Sequence, residues 1–309
     1  MRIAFLGTPE FAVPSLKMLC ESSHELFVIS QPDKAKGRGY KCCSPAVICE
    51  AREAGLHTLQ TDNISNGDSL QALKDFKPDL MITAAFGQIL TQEVLDIPKY
   101  GCINVHASLL PKYRGASPIQ AAIIYGETVT GITTMLTDIG LDTGDILLQR
   151  EIEIQPDETA GELTQRLAVL GSEVLKDTII ALENGTLKRI PQDHSTATKC
   201  RTIKKSMAKM DFTKSAKQLH DFVRGMNPSP IAYASLNDVA VKFYKTRPHM
   251  DMHSDERPGT VIIASPKQGL FIAAGEGVLE VLEMQYPNSR CMEAKCVLNS
   301  KRLLGEVFS

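Results

Sequence analysis

The first 183 residues alternate short apolar runs with amphipathic segments, and that alternation limits the fold more than any other feature of the chain. Residues 2–6 are apolar and β-prone, stop at Gly7, and lead through Thr8, Pro9 and Glu10 into a stripe of Phe11, Leu16 and Leu19. This pattern reads as strand, turn and helix. It recurs as a strand at 26–30, a helix at 46–54, a short strand at 56–59, a helix at 68–74 and a continuous apolar strand at 80–85. After Gly101 come a strand (102–105), a loop (106–115), a helix (117–125), a strand (132–136), a second loop, a strand (146–154) and a long helix (159–183). Strands separated by helices predict βαβ units, hence an α/β fold with a doubly wound, mostly parallel, Rossmann-like sheet. Its ligands are expected beyond the carboxyl ends of the strands.

A length of 309 residues exceeds one average domain, so a second unit is expected. Residues 187–205 are polar and aperiodic, with Pro191, Asp193, Ser195 and Thr196, which predicts domains at 1–188 and 206–309 joined by a linker at 189–205. Beyond the linker, an amphipathic helix at 215–225 precedes short alternating segments around Ala232-Tyr233-Ala234, Val241-Lys242-Phe243-Tyr244, Val261-Ile262-Ile263 and Val278-Leu279-Glu280-Val281. Short strands with Gly and Pro turns predict a small, OB-like β-barrel.

Composition removes several functional classes. The apolar share of 43% and charged share of 23% are those of a globular protein. The longest apolar runs, such as 80–86, fall far below the roughly 18 residues of a membrane span. With no basic leader or long apolar segment at residue 1, a cytoplasmic protein without membrane contact is expected. Eight cysteines show no CxxC spacing, and Cys42-Cys43 are adjacent, so neither a disulfide framework nor a metal is expected. Gly7-Thr8-Pro9-Glu10 lacks the later glycines of GxGxxG, which argues against NAD. A net charge of -2 excludes general coating of nucleic acid, so any RNA contact must come from local basic patches.

Asn104 and His106 stand two apart at the end of a predicted strand, so the period of two points both side chains to one face. A carboxamide donor and an imidazole converging on one atom suit acyl transfer: together they stabilise an oxyanion while the imidazole moves a proton. An isolated Asn-x-His pair is common by chance, and its context is the loop Ser108-Leu109-Leu110-Pro111-Lys112-Tyr113-Arg114-Gly115. Two leucines in a loop need either a packing partner or a ligand. Asp142 follows 36 positions beyond His106, after another strand, and a carboxylate there would orient the imidazole. Spacing alone does not choose among Asp138, Asp142 and Asp145, any of which could cap its own turn.

The blocks Ile103-Asn104-Val105-His106-Ala107-Ser108-Leu109-Leu110-Pro111, Gly131-Ile132-Thr133 and Gly140-Leu141-Asp142-Thr143-Gly144-Asp145, in that order, resemble those of the 10-formyltetrahydrofolate-dependent formyltransferases. The resemblance implies that Asn104, His106 and Asp142 are the catalytic trio. It implies too that Ser108, Leu109, Leu110 and Pro111 line the pocket for the 10-formyltetrahydrofolate co-substrate, with Phe86 and Gly87 beside them. Nothing in the trio names the acceptor. The second domain, with Ala232-Tyr233, the run 269–275 and Gly305-Glu306-Val307-Phe308, is similar to that of the methionyl-tRNA formyltransferases, as is the block Gln31-Pro32-Asp33-Lys34-Ala35-Lys36-Gly37-Arg38-Gly39. That resemblance implies initiator methionyl-tRNA as the partner. Lys34, Lys36, Arg38 and Lys41 face only Asp33, and Lys199, Arg201, Lys204, Lys205 and Lys209 form a second basic cluster. Of these, Lys34, Lys36, Arg38, Lys41, Lys204 and Lys205 are the expected tRNA contacts. The chain departs from the family at Phe86, often tyrosine, and at Phe212 and Ser229, usually tryptophan. A monomer is expected, the second domain covering exposed sheet.

Overall fold

The computed structural model describes residues 1–36 and 41–309. They pack into two compact units: Met1–Pro118, Val129–Ile152 and Thr164–Cys200 form the first, and Ile119–Thr128, Glu153–Leu163 and Arg201–Ser309 the second. The stretch 189–200, polar enough in sequence to read as linker, is thus packed into the first unit. The second unit includes most of a helix and a strand-to-helix turn from the earlier part of the chain.

Among the described residues ten strands precede residue 154: β1 (Arg2–Gly7), β2 (Glu25–Ser30), β3 (Lys34–Lys36), β4 (Lys41–Cys43), β5 (His57–Gln60), β6 (Leu80–Ala84), β7 (Cys102–His106), β8 (Arg114–Gly115), β9 (Val129–Leu136) and β10 (Ile146–Glu153). Seven of them form the main sheet, ordered β10-β9-β7-β6-β1-β2-β5. Pairing is parallel from β5 to β7, and β9 joins β7 antiparallel. Helices α1 (Val13–Cys20), α2 (Ala46–Glu53), α3 (Gly67–Phe76), α5 (Pro118–Ile124) and α6 (Ala160–Glu183) punctuate the strands as the alternation predicts, and a short α4 (Gln92–Leu95), not expected from it, lies between β6 and β7. Strands β1, β2 and β6 are buried almost throughout, which explains why they read as unbroken apolar runs rather than alternating ones. The chain runs outward from β1 to β5, then returns to β6 on the other side of β1. The crevice beyond the carboxyl ends of β1, β6 and β7 is the ligand position that such a reversal creates.

Two short pairings had no signature in the hydrophobic pattern. β3 and β4 form an antiparallel ribbon, and β11 (Lys199–Cys200) lies parallel to β8.

In the second unit α7 (Ala216–Gly225) is held at its start by a reciprocal capping box between Ser215 and Gln218. Strands β12 (Ala232–Leu236), β13 (Val239–His249), β14 (Val261–Ser265), β15 (Gly269–Ala273), β16 (Val278–Gln285) and β17 (Met292–Glu293) form an antiparallel sheet, ordered β12-β13-β16-β15-β14, with β17 on β16. The last residues link its two edges. Gly305 and Glu306 bond to Val261 of β14, and Ser309 exchanges both backbone hydrogen bonds with Ser235 of β12. A short helix, α8 (Ala294–Val297), completes the unit. Phe212 is buried against Phe243 and Phe308, with ring centroids 6.5 and 6.3 Å away. The Phe243–Phe308 pair is edge-to-face at 5.4 Å, the geometry favoured by the ring quadrupoles. Truncating Phe243, which is fully buried, removes the centre of this cluster. Phe243→Ala is expected to cost about 3–5 kcal/mol of stability in a denaturant titration.

Candidate active site

Strand β7 ends at the sheet's carboxyl edge and places the two spaced side chains together there. Asn104 is half-buried and His106 buried. The parallel register sets Thr83 of β6 directly beside Asn104, and the Thr83 hydroxyl donates to Asn104 Oδ1 at 3.1 Å. A hydroxyl can donate or accept, so the carboxylate of Asp142, which only accepts, assigns the amide: Nδ2 faces it and Oδ1 faces Thr83. Nδ2 lies 3.5 Å from Oδ1 of Asp142.

Asp142 reaches the site from the turn between β9 and β10. Its Oδ2 accepts from the backbone amide of Gly115 at 2.7 Å and lies 3.7 Å from His106 Nδ1. The other ring nitrogen, Nε2, is 3.0 Å from the Tyr113 carbonyl oxygen. A carbonyl only accepts, so Nε2 carries a proton and Nδ1 is the nitrogen turned toward Asp142. The aspartate left open by spacing is therefore the middle one. Asp138 instead caps its own turn, accepting from Gly140 N and Thr143 Oγ1.

Two glycines make this approach sterically possible. A Cβ on Gly144 would lie 1.8 Å from the Leu136 carbonyl oxygen, and one on Gly115, at φ +117°, would lie 2.2 Å from that of Cys200. Asp142 itself has φ +52°, a left-handed conformation that aspartate tolerates better than most residues.

The 108–111 loop is fastened to β9 and β10. Ser108, fully buried, donates from Oγ to the Lys112 carbonyl at 2.7 Å. Thr133 Oγ1 donates to the Ser108 carbonyl at 2.6 Å and accepts from Leu110 N at 3.1 Å. Gln149 Nε2 donates to the Leu110 carbonyl at 2.9 Å. Leu110 is buried with Met135 and Ile146, whereas Leu109 and Pro111 remain half-exposed. Beyond β6, Phe86 is buried in the main core, and its carbonyl accepts from Thr8 Oγ1 at 3.1 Å and Gln31 Nε2 at 2.9 Å. Gly87 follows at φ +80°. Cys102, on β7, is not a usable nucleophile: burial pushes its thiol up to about 11.

Of the basic residues, Lys34 is exposed with its ammonium on Gln31 Oε1, while Lys204 and Lys205 are exposed in the second unit. Arg38 lies outside the described residues, as do the side chains of Lys36 and Lys41. Among the described residues no helix is long and apolar enough to cross a membrane.

Residues 1–179 match the formyl transferase family model, and residues 202–302 match that of the formyl transferase C-terminal domain. The methionyl-tRNA formyltransferase of Acetivibrio thermocellus is 48% identical over 293 residues, 94% of each chain. That of Clostridium botulinum is 44% identical over 309 residues, 100% of this chain and 99% of its own. The chain belongs to the methionyl-tRNA formyltransferase family. Its fold is also that of more distant proteins. The sugar 3N-formyl transferase WlaRD, solved in the presence of dTDP and 5-N-formyl-THF, aligns with a TM-score of 0.67 at 21% identity, covering 94% of this chain and 99% of that one. HypX from Aquifex aeolicus in complex with tetrahydrofolic acid aligns with a TM-score of 0.62 at 17% identity, covering 100% of this chain and 51% of that one.

Sequence reasoning did not find Thr83, Gly115 or the Tyr113 carbonyl. Thr83 left a trace, as a hydroxyl within the apolar run 80–85, but backbone atoms leave none. Thr83→Val removes the hydroxyl at nearly constant volume and frees the Asn104 amide to turn over. One lost hydrogen bond is worth about 1 kcal/mol, so the turnover number of formyl transfer is expected to fall about fivefold in steady-state kinetics.

Proposed function

We propose that this enzyme transfers the formyl group of 10-formyltetrahydrofolate to the free α-amine of initiator methionyl-tRNA, in the cytoplasm and as a monomer. The observation that carries the reading is the convergence of Asn104, His106 and Asp142 at the carboxyl edge of the sheet, in a chain that aligns end to end with methionyl-tRNA formyltransferases.

In this mechanism the amine lone pair attacks the formyl carbon and the carbonyl electrons move onto oxygen. Asn104 Nδ2, oriented by Thr83, donates to that oxyanion. His106, with Nε2 committed to Tyr113, handles protons through Nδ1, and the Asp142 carboxylate balances the charge when Nδ1 is protonated. Collapse breaks the bond from the formyl carbon to N10; the amine gives up one proton and N10 takes one, leaving tetrahydrofolate.

Ser108, Leu109, Leu110, Pro111, Phe86 and Gly87 are proposed to shape the folate pocket. The half-exposed Leu109 and Pro111 are suited to touch the pterin, and the buried Ser108, Leu110 and Phe86 to hold the walls in place. Residues 1–188 are proposed as the catalytic domain and 206–309 as a tRNA-binding domain. Lys34, Lys36, Arg38, Lys41, Lys204 and Lys205 are proposed to meet the phosphate backbone.

The deciding assay gives the enzyme 10-formyltetrahydrofolate with charged initiator tRNA, elongator methionyl-tRNA or small amines. Preference for the initiator is expected. Formylation of amines or amino sugars with none of methionyl-tRNA would defeat the proposal. Asn104→Ala should lower the turnover number on the order of a hundredfold, as loss of an oxyanion donor does. Arg38→Ala should raise KM for the tRNA severalfold and leave that for the folate unchanged, a pattern read from initial rates at two salt concentrations.

A further inference from the structure

The segment that reads as linker carries a side chain tied to both catalytic loops. Gln192 is buried. Its Nε2 donates to the carbonyl oxygens of Asp142 at 2.9 Å and Gly144 at 2.7 Å, two points of the turn that presents the carboxylate. Its Oε1 accepts from Nε of Arg114 at 3.0 Å and from a terminal guanidinium nitrogen at 2.6 Å. Arg114, also buried, shares that terminal nitrogen with His194 Nδ1 at 3.1 Å. The arginine stands between Tyr113, whose carbonyl holds His106 Nε2, and Gly115, whose amide holds Asp142 Oδ2. Thr198 fastens the same loop: its Oγ1 accepts from Tyr113 N at 2.8 Å and its carbonyl from Arg114 N at 2.9 Å.

We propose that Gln192 is a positioning residue that acts through Asp142, locking the aspartate's turn to the loop that sets the tautomer of His106. The inference rests on the catalytic reading of Asp142. Gln192 itself meets only backbone carbonyls of that turn, so it takes no part in the chemistry. What it supplies is geometry. With φ +52° at Asp142, the turn sits in a conformation that L-residues leave when released. A shift of even 1 Å in a catalytic group is enough to cost about a hundredfold in rate.

The two halves of the amide can be separated experimentally. Gln192→Glu keeps the size and the oxygen facing Arg114, but places an acceptor where the amide donated to two carbonyls. If the residue only satisfied the buried guanidinium, glutamate would serve equally well. If it positions Asp142, the variant should lose about thirtyfold in kcat, keep KM for methionyl-tRNA within about twofold, and melt within a few degrees of wild type. The diagnostic comparison is a double-mutant cycle with Asp142→Asn. In that background Gln192→Glu should lower kcat by less than about twofold, because the group it acts through is already disabled. An equal loss in both backgrounds, or wild-type kcat in the single variant, overturns the proposal. Should the glutamate variant fail to fold, Gln192→Met takes its place in the same cycle. A second readout is independent of the substrate assignment. In 15N-histidine-labelled enzyme, the His106 ring resonances of Gln192→Glu should move toward their positions in Asp142→Asn, and unmoved resonances also overturn the proposal. Wild-type enzyme that does not formylate methionyl-tRNA would defeat the functional reading alone, leaving the resonances to decide on Gln192.

Discussion

One hydrogen bond brings the proposed chemistry together: the Gly115 amide donating to Oδ2 of Asp142 at 2.7 Å. Asp142 comes from the turn between β9 and β10, Asn104 and His106 from β7, and Gly115 from the loop that follows β7. A carboxylate on a free turn would stay in water, where it is well solvated and interacts weakly with an imidazole. Captured by a backbone amide, it stands half-buried with one oxygen toward Asn104 and the other toward His106. The unusual backbone nearby follows from that capture. Gly115 must let its amide past Cys200, Gly144 must let the turn close on Leu136, and Asp142 must take a positive φ. Strain of this kind persists only where surrounding contacts over-determine it.

The leucine loop shows how an apolar segment is kept in order without belonging to a strand or helix. Thr133 serves two backbone groups of the loop, Gln149 a third, and Ser108 closes the loop on Lys112. With those polar groups satisfied, Leu110 can be buried against Met135 and Ile146 without an unpaired donor beside it. The loop begins directly after His106, whose Nε2 is met by the Tyr113 carbonyl further along the same segment.

How much of this was legible depended on whether a feature lives in periodicity or in atoms that every residue shares. The sheet was legible because its strands are buried runs separated by helices. The convergence of Asn104 and His106 was legible because a strand repeats every two residues. Asp142 could be placed near them, but choosing it over Asp138 and Asp145 needed the motif, since the decisive partner is a backbone amide. Thr83 is set by the β6–β7 register, which no single sequence states. The 189–205 stretch reads as a linker because polar, aperiodic sequence is what a linker looks like. Gln192 and Thr198 are polar for a different reason: they bond to backbone of two loops that lie far away in sequence. Even there the short β11 pairing with β8 carries no hydrophobic pattern to read.

Chemistry and acceptor choice are separable properties of such a chain. Its fold is shared, at 21% identity, with an enzyme described as a sugar 3N-formyl transferase, so the fold by itself does not name the nucleophile. In the proposed mechanism the trio acts on a formyl carbonyl and is indifferent to what the attacking amine is attached to. Discrimination must come from surfaces that touch the acceptor far from the reacting atom, and for an RNA acceptor those surfaces must supply positive charge locally, because the whole chain carries a net charge of -2. The nine lysines and arginines of 34–41 and 199–209 have no acid among them, whereas the rest of the chain carries 25 basic against 36 acidic residues. Charge placed in this way adds binding energy without altering the site. An acceptor can therefore be gained or lost through residues that leave Asn104, His106 and Asp142 untouched.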